Sequence, residues 1–335
     1  MESVSLLLQV VPEWLELVSV ACCFGVLVFS LWVVPGTPGD GASDQESVLA
    51  GMWRQLGIAA AVLFASSVLA LLVASAEMSG APIFGVLPVL PTVLLRTHLG
   101  HTWILRGVAI AVLAVALLAS GSRPSRPSGY AMLACALVVS AMDSASGHAS
   151  DAGDLSLAEL VDWLHLVAAL VWGGGLIVLS WAILPPLVRQ GDRAASSVAG
   201  IASRFSRLAG GAVGFIALTA SYQTWVYGGG LEGLLHSPYG RTVVAKLVLF
   251  SLLLVLGGFH RYVSVPRLHE EAGATTGPPT AVRFARTVKL EAFLVLAVLW
   301  CAALLRHEVP ARHSVHHDHH AMAACGALRI APPTE

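Results

Sequence analysis

Histidine is the residue type that stands out for chemistry, with 13 in a chain of 335. The densest group is His316-His317-Asp318-His319-His320. Imidazole is a good ligand for Cu, Zn, Ni and Fe, and short His-rich tracts favour metals. A sparser group lies in an apolar setting: Asp162, His165, Ala169, Trp172 and Leu176 follow three- and four-residue steps and share one helix face. The run Asp143-Ser-Ala-Ser-Gly-His148 adds a carboxylate and an imidazole among small polar residues. His98 and His101 precede Arg106, and Arg241 precedes Lys246. Met78 and Met142 are the methionines near these groups, too few for a thioether ladder. The cysteines at 22, 23, 135, 301 and 325 form no CxxC pair, which argues against a thiolate metal site. There is no Walker A sequence to drive a pump with ATP. Any metal bound here is held mainly by imidazole.

The elements that must position these groups follow from composition. Charged residues make up 12% of the chain, apolar ones 56%, and the mean hydropathy is +0.77. A soluble domain carries roughly 25% charge, so this is an integral membrane protein. A net charge of −1 offers no field for phosphate and excludes a nucleic-acid binder. Runs long enough to cross a bilayer as helices occur at 14–34, 55–76, 100–120, 129–147, 158–184, 205–227, 243–262 and 288–305. The apolar stretch 78–98 is broken by Pro82, Pro88 and Pro91 and is expected to be a loop or re-entrant piece. The first run opens among acidic residues (Glu2, Glu13, Glu16) without a basic leader or a small-residue cleavage site, so it is expected to be a retained helix. The expected fold is an all-α polytopic bundle of about eight transmembrane helices over 1–310, followed by a His-rich tail, 311–335.

Basic residues crowd alternate gaps. Arg123 and Arg126 follow the third span, Arg189, Arg193 and Arg204 the fifth, and Arg267, Arg283 and Arg286 the seventh. The other gaps hold almost none. Positive loops stay cytoplasmic, so both termini are expected outside. Most histidines then fall at the outer face, and only His260 and His269 at the inner one. Arg106, Asp143, Asp162, His165 and Lys246 gather in the outer half of the bundle, where ionisable groups are costly unless they meet one another. Asp143 or Glu77 is the expected partner of Arg106, and Asp162 is expected to orient His165 through its second nitrogen. His260 is expected to make a helix-end hydrogen bond. Gly173-Gly174-Gly175 lets another helix come close or lets this one bend.

The second half of the chain resembles the CopD family of copper-resistance membrane proteins. The resemblance rests on the stretch from Trp163 through Leu176 (WLHLVAALVWGGGL), on Arg204-Phe-Ser-Arg-Leu208, on Ser237-Pro-Tyr-Gly-Arg-Thr-Val-Val-Ala-Lys246, and on Leu256-Gly-Gly-Phe-His-Arg261 with Pro266-Arg-Leu268. Thr97-His-Leu-Gly-His-Thr-Trp-Ile-Leu-Arg106 and Ser146-Gly-His148-Ala extend it towards the N-terminus. It covers 92–268 and loosely reaches 306. It implies a multi-pass protein of the bacterial inner membrane that moves copper, as Cu+ or Cu2+, often beside a periplasmic CopC-type copper protein. It implies His148 and His165 as the functional pair, with Trp172, Arg106 and Lys246 in support; Met78 or Met142, near the same groups, is expected to help at the entry site. The tail histidines 316, 317, 319 and 320 would concentrate the ion. Two other readings are open: a b-type haem electron-transfer protein, and an assembly factor for a copper oxidase.

Overall fold

In a bilayer the backbone must satisfy its own hydrogen bonds, and an apolar run of about 20 residues does so as a helix. The computed structural model describes residues 2–34, 42–121, 125–147, 156–189, 194–227, 235, 237–271 and 279–308. They form α1 (Glu2–Val28), α2 (Ala42–Ser79), α3 (Leu90–Arg96), α4 (His98–Ser120), α5 (Arg126–Ala145), α6 (Leu157–Val178), α7 (Leu184–Val188), α8 (Ala194–Tyr227), α9 (Pro238–Phe259), α10 (Val265–Glu271) and α11 (Pro279–Leu305). Single π turns extend α1 (Phe29–Val33) and join α6 to α7 (Leu179–Ile183) and α9 to α10 (His260–Ser264). Eight spans among the described residues are long and apolar enough to cross a membrane. The chain is therefore an all-α polytopic membrane protein.

The helices overrun the apolar cores that hydropathy marks, so α1, α2 and α8 start well before the expected spans. Between α2 and α4 the chain makes a 3₁₀ turn (Ile83–Gly85) and the seven-residue α3, too short to cross. The proline-broken stretch is therefore no ninth span. Hydroxyl caps start the shorter spans: Thr97, Ser125, Ser156 and Ser237 each accept a backbone N–H from the first turn of α4, α5, α6 and α9. The links are too short to recross a bilayer, so successive spans alternate in direction. We call the end where α1 begins and α11 finishes the near end. The far end carries Arg126, Arg189, Arg204, Arg207, Arg261, Arg267, Arg283, Arg286 and Lys289.

The first span, α1, is the axis of the bundle, with 83% of its apolar window buried. It packs against α2, α5, α6 and α11. Its tightest crossing is with α6, where Gly174 lies directly on the backbone of Ala21 and Gly25. Gly173 and Gly175 take the side chains of Val295 and Phe205 against the same turn. The glycine triplet thus serves close approach to three neighbours at once. The seventh span, α9, is the most peripheral: 6% of its window is buried, and it packs on α11. Its continuation, α10, packs on α8 at the far end.

A side chain at Gly174 has nowhere to go, because any Cβ there strikes the Ala21 carbonyl. Gly174→Leu should destabilise the bundle by about 3 kcal/mol, read as loss of monodisperse protein in size-exclusion chromatography after graded heating in detergent. Gly211→Ala, where the added methyl meets open space, should elute as wild type.

Candidate functional site

Four charged residues from four spans meet near the near end. Arg106 of α4 reaches Glu16 Oε2 of α1 at 2.7 Å and Asp143 Oδ1 of α5 at 2.8 Å. All three side chains are at most 3% exposed. Arg306, just past α11, donates to the Asp143 carbonyl oxygen at 3.2 Å and stands 4.0 Å from Asp143 Oδ1. Two guanidinium groups thus balance two carboxylates, which is what makes ionised groups tolerable here. Trp103 adds its ring face 5.0 Å from the Arg106 guanidinium carbon. The expected partner Asp143 is present, but Glu77 is not: it takes a hydrogen bond from Gln9. Glu16 occupies that second place because α1 begins at Glu2 and carries residue 16 about four turns inward.

Beside this cluster lies a cavity of about 160 Å³. Asp143 and Gly147 of the α5 end, Asp162 and His165 of α6, Gln223 of α8, Tyr239 and Lys246 of α9, and Arg306 line it. Asp162 accepts from the Ser144 hydroxyl at 2.7 Å and from the Gln223 amide at 2.8 Å. Both carboxylate oxygens are therefore engaged by α5 and α8, and Asp162 does not orient His165 as expected. Thr219 does so instead. Its hydroxyl lies 2.9 Å from His165 Nδ1 and donates its one proton to the Phe215 carbonyl oxygen at 2.7 Å. Nδ1 is thus the ring nitrogen tied to α8. Trp163 braces the same helix by donating to Ser140 Oγ at 3.0 Å.

The other expected site residues fall as follows. His148 lies outside the described residues, one position after Gly147 on the cavity wall. His316, His317, His319 and His320 also lie outside them. Met78 is 54% exposed and Met142 is half-buried, and neither lines the cavity. Trp172 is buried but lines a second, deeper cavity. His98 and His101 are exposed on the surface of α4. Among the described residues no three His, Cys, Asp or Glu side chains converge as a metal cluster. Glu16, Ser144, Thr219, Gln223, Tyr239 and Arg306 were not expected. Thr219 and Gln223, four apart in an apolar span, carried a readable signal, since residues at that spacing share a helix face.

The comparisons agree with this architecture. The family model described as copper resistance protein D matches residues 199–305, and that of its N-terminal domain matches residues 2–157. The chain belongs to the copper resistance protein D family. The match reaches the first span, beyond the stretch where the motifs carry the resemblance. Copper resistance protein D of Pseudomonas syringae pv. tomato is 24% identical over 84% of this chain and 91% of its own length. Copper transport protein CutJ of Bacillus subtilis (strain 168) is 27% identical over 63% of this chain. That match spans only 37% of the Bacillus protein. No solved structure matches the chain. Family and fold together make this a copper-related multi-pass membrane protein.

Removing Arg106 strands two buried carboxylates. Arg106→Ala should cost about 3–5 kcal/mol, seen as a large drop in the detergent thermal midpoint. Arg106→Lys, with a single point charge for a fork that spans two partners, should fall between Ala and wild type.

At the near end, His307 Nε2 approaches Glu13 Oε2 at 3.4 Å, and this contact raises the imidazole above its ordinary value of 6.5. A raised folded-state value means the contact stabilises fully at acid pH and fades as pH climbs through that value. Thermal midpoints should therefore lose a small increment on going from pH 6 to about pH 9, and Glu13→Gln should remove that increment.

Proposed function

We propose that the chain carries copper across the bacterial cytoplasmic membrane, inward, from the near-end cavity. The observation that carries this reading is His165: one ring nitrogen is held by Thr219, and the ring lines a polar cavity. A carboxylate and an ammonium share that cavity through Asp162 and Lys246. The position of Gly147 supports His148 as the second imidazole. The arginine-rich far end supports a cytoplasmic assignment for that face, which puts the cavity and the tail after residue 310 outside. The names of the relatives, a copper transport protein and a copper resistance protein, support copper as cargo.

In this reading the chain is a transporter and not an enzyme. His316, His317, His319 and His320 raise the local ion concentration, and a CopC-type periplasmic copper protein is a natural donor. His148 and His165 capture the ion, Thr219 sets the tautomer of His165, and Asp162 supplies a fixed negative charge at the same depth. Lys246, facing the same space, tunes the affinity for a cation and keeps capture reversible. Arg106 and Asp143 hold α4, α5 and α11 around the cavity. Met78 and Met142 do not line it and are left out of the ligand set.

Cellular copper at fixed external copper is the direct test. Cells with the protein should accumulate several-fold more copper than cells without it, and His148→Ala with His165→Ala should bring accumulation down to the empty-vector level. Equal accumulation in all three strains overturns the reading. A Soret band in the purified protein would replace it with haem-based electron transfer.

A further inference from the structure

The charges around the near-end cavity divide into groups that meet a partner and one that does not. Arg106 and Arg306 face Glu16 and Asp143 and balance them. His165 is tied to Thr219. That leaves Asp162 and Lys246, which line the same cavity of about 160 Å³. An ammonium alone in a membrane span is costly, and an opposite charge in reach ordinarily closes on it as an ion pair. Here it does not. Among the described residues Lys246 makes no salt bridge and no hydrogen bond.

The reason lies on the neighbouring helices. Asp162 Oδ2 accepts from Ser144 of α5 at 2.7 Å, and Oδ1 accepts from Gln223 of α8 at 2.8 Å. These two bonds hold the carboxylate on its own side of the cavity. Lys246 belongs to α9, the peripheral span that packs on α11, so the cavity lies between it and α6. Asp162 offsets part of the ammonium charge from a distance. Cys301 of α11 is also within electrostatic reach, but a thiol is only a weak acceptor. Arg306 lines the cavity as a second cation. The three N–H donors of Lys246 thus face a space with room for several waters. Water satisfies the donors and leaves the charge uncompensated; a small anion does both. The cargo sharpens the point. A copper ion held at His165 shares this cavity with Lys246, and two cations so close repel strongly where the dielectric is low. An anion between them turns that repulsion into two attractions.

We propose that the near-end cavity binds a halide ion between Lys246 and the copper at His165, so that the cargo is taken as a copper–halide pair. This rests on the copper-transport reading and names the form in which that site takes its substrate. A halide is a compact monovalent anion that ligates copper on one side and accepts hydrogen bonds from an ammonium on the other. It brings one negative charge against the one ammonium that lacks a contact partner. A dianion such as sulfate is larger and carries a second charge that no other group here is free to meet, since Arg306 is already drawn to Asp143. Lys246 is on this account a specificity-determining residue, selecting the ion pair over the bare metal. Asp162 is held back by Ser144 and Gln223 so that the ammonium stays available. No electron moves and no covalent bond of the protein changes.

The test uses the purified full chain in detergent, with Cu2+ as the metal probe and chloride as the anion probe. Bound copper is measured by equilibrium dialysis at equal ionic strength in chloride and in methanesulfonate, which is bulkier and coordinates copper poorly. Subtracting the copper bound by His165→Ala isolates the cavity from the tail histidines. Wild type should bind cavity copper about ten-fold more tightly in chloride, and because coupling is reciprocal, Cu2+ should tighten the binding of radiolabelled chloride by the same factor. Lys246→Met, similar in length and uncharged, should bind copper equally in both salts and lose the copper-dependent chloride. Lys246→Arg should keep part of both. A wild type whose cavity copper is bound equally in the two salts overturns this proposal alone, whatever the variants do. A chloride effect that Lys246→Met retains overturns it as well. A wild type that binds no copper in either salt overturns the transport reading with it.

Discussion

The bundle depends on one arginine placed where an unpaired charge could not survive. Arg106 carries its guanidinium into the apolar interior of α4, and the two carboxylates that receive it come from α1 and α5. Neither carboxylate is tolerable without it, so the three groups fix three helices together or not at all. Asp143 then passes the constraint on, because Arg306 at the end of α11 is tied to its carbonyl. Four spans are registered by one network, and three of them, α1, α5 and α11, contribute to the wall of the near-end cavity. The cavity is thus a consequence of the charge network. The helices are held by polar groups at this depth, where apolar packing against lipid offers little preference between bundle and bilayer.

That same constraint separates the ionisable groups by task. Arg106, Glu16 and Asp143 are paired with one another and keep the scaffold in place. Asp162 is held instead by neutral donors, Ser144 and Gln223, which fix its position beside the cavity. His165 alone is held through one nitrogen and left open at the other. For the proposed transport this is the combination required. A carboxylate free to swing would turn to the cations of the same cavity, Lys246 and Arg306, and a histidine held at both nitrogens would have nothing to offer an ion.

Hydropathy was enough to find the eight spans, and the distribution of arginine was enough to suggest their sidedness, because both are averages over many residues. Pairings were harder to read. That Arg106 required a partner was evident from its burial in a span, and Asp143 was identified. Glu16 escaped because the first apolar run opens near residue 14, which made Glu16 look like a first-turn acid at the membrane edge, whereas the helix starts at Glu2. The Asp162–His165 spacing promised an internal bond, but a shared helix face only says that two side chains point the same way. What they meet is decided by α8, whose contribution is the neutral pair Thr219 and Gln223. His260 is expected to make a helix-end hydrogen bond, and Thr287 provides one. Glu291, a charge inside the eighth span, is the stronger clue to a polar partner there.

Both buried histidines are prepared by the same small device. In each case a threonine hydroxyl on the neighbouring helix lies within hydrogen-bond distance of one imidazole nitrogen and of a carbonyl oxygen of its own helix. In each case the residue four positions on, Gln223 or Glu291, lies on the same face and reaches towards the same site. The two sites differ in that last residue. Gln223 is neutral and is consumed in fixing Asp162, so His165 Nε2 meets open cavity. Glu291 meets His260 directly, its Oε1 3.2 Å from Nδ1.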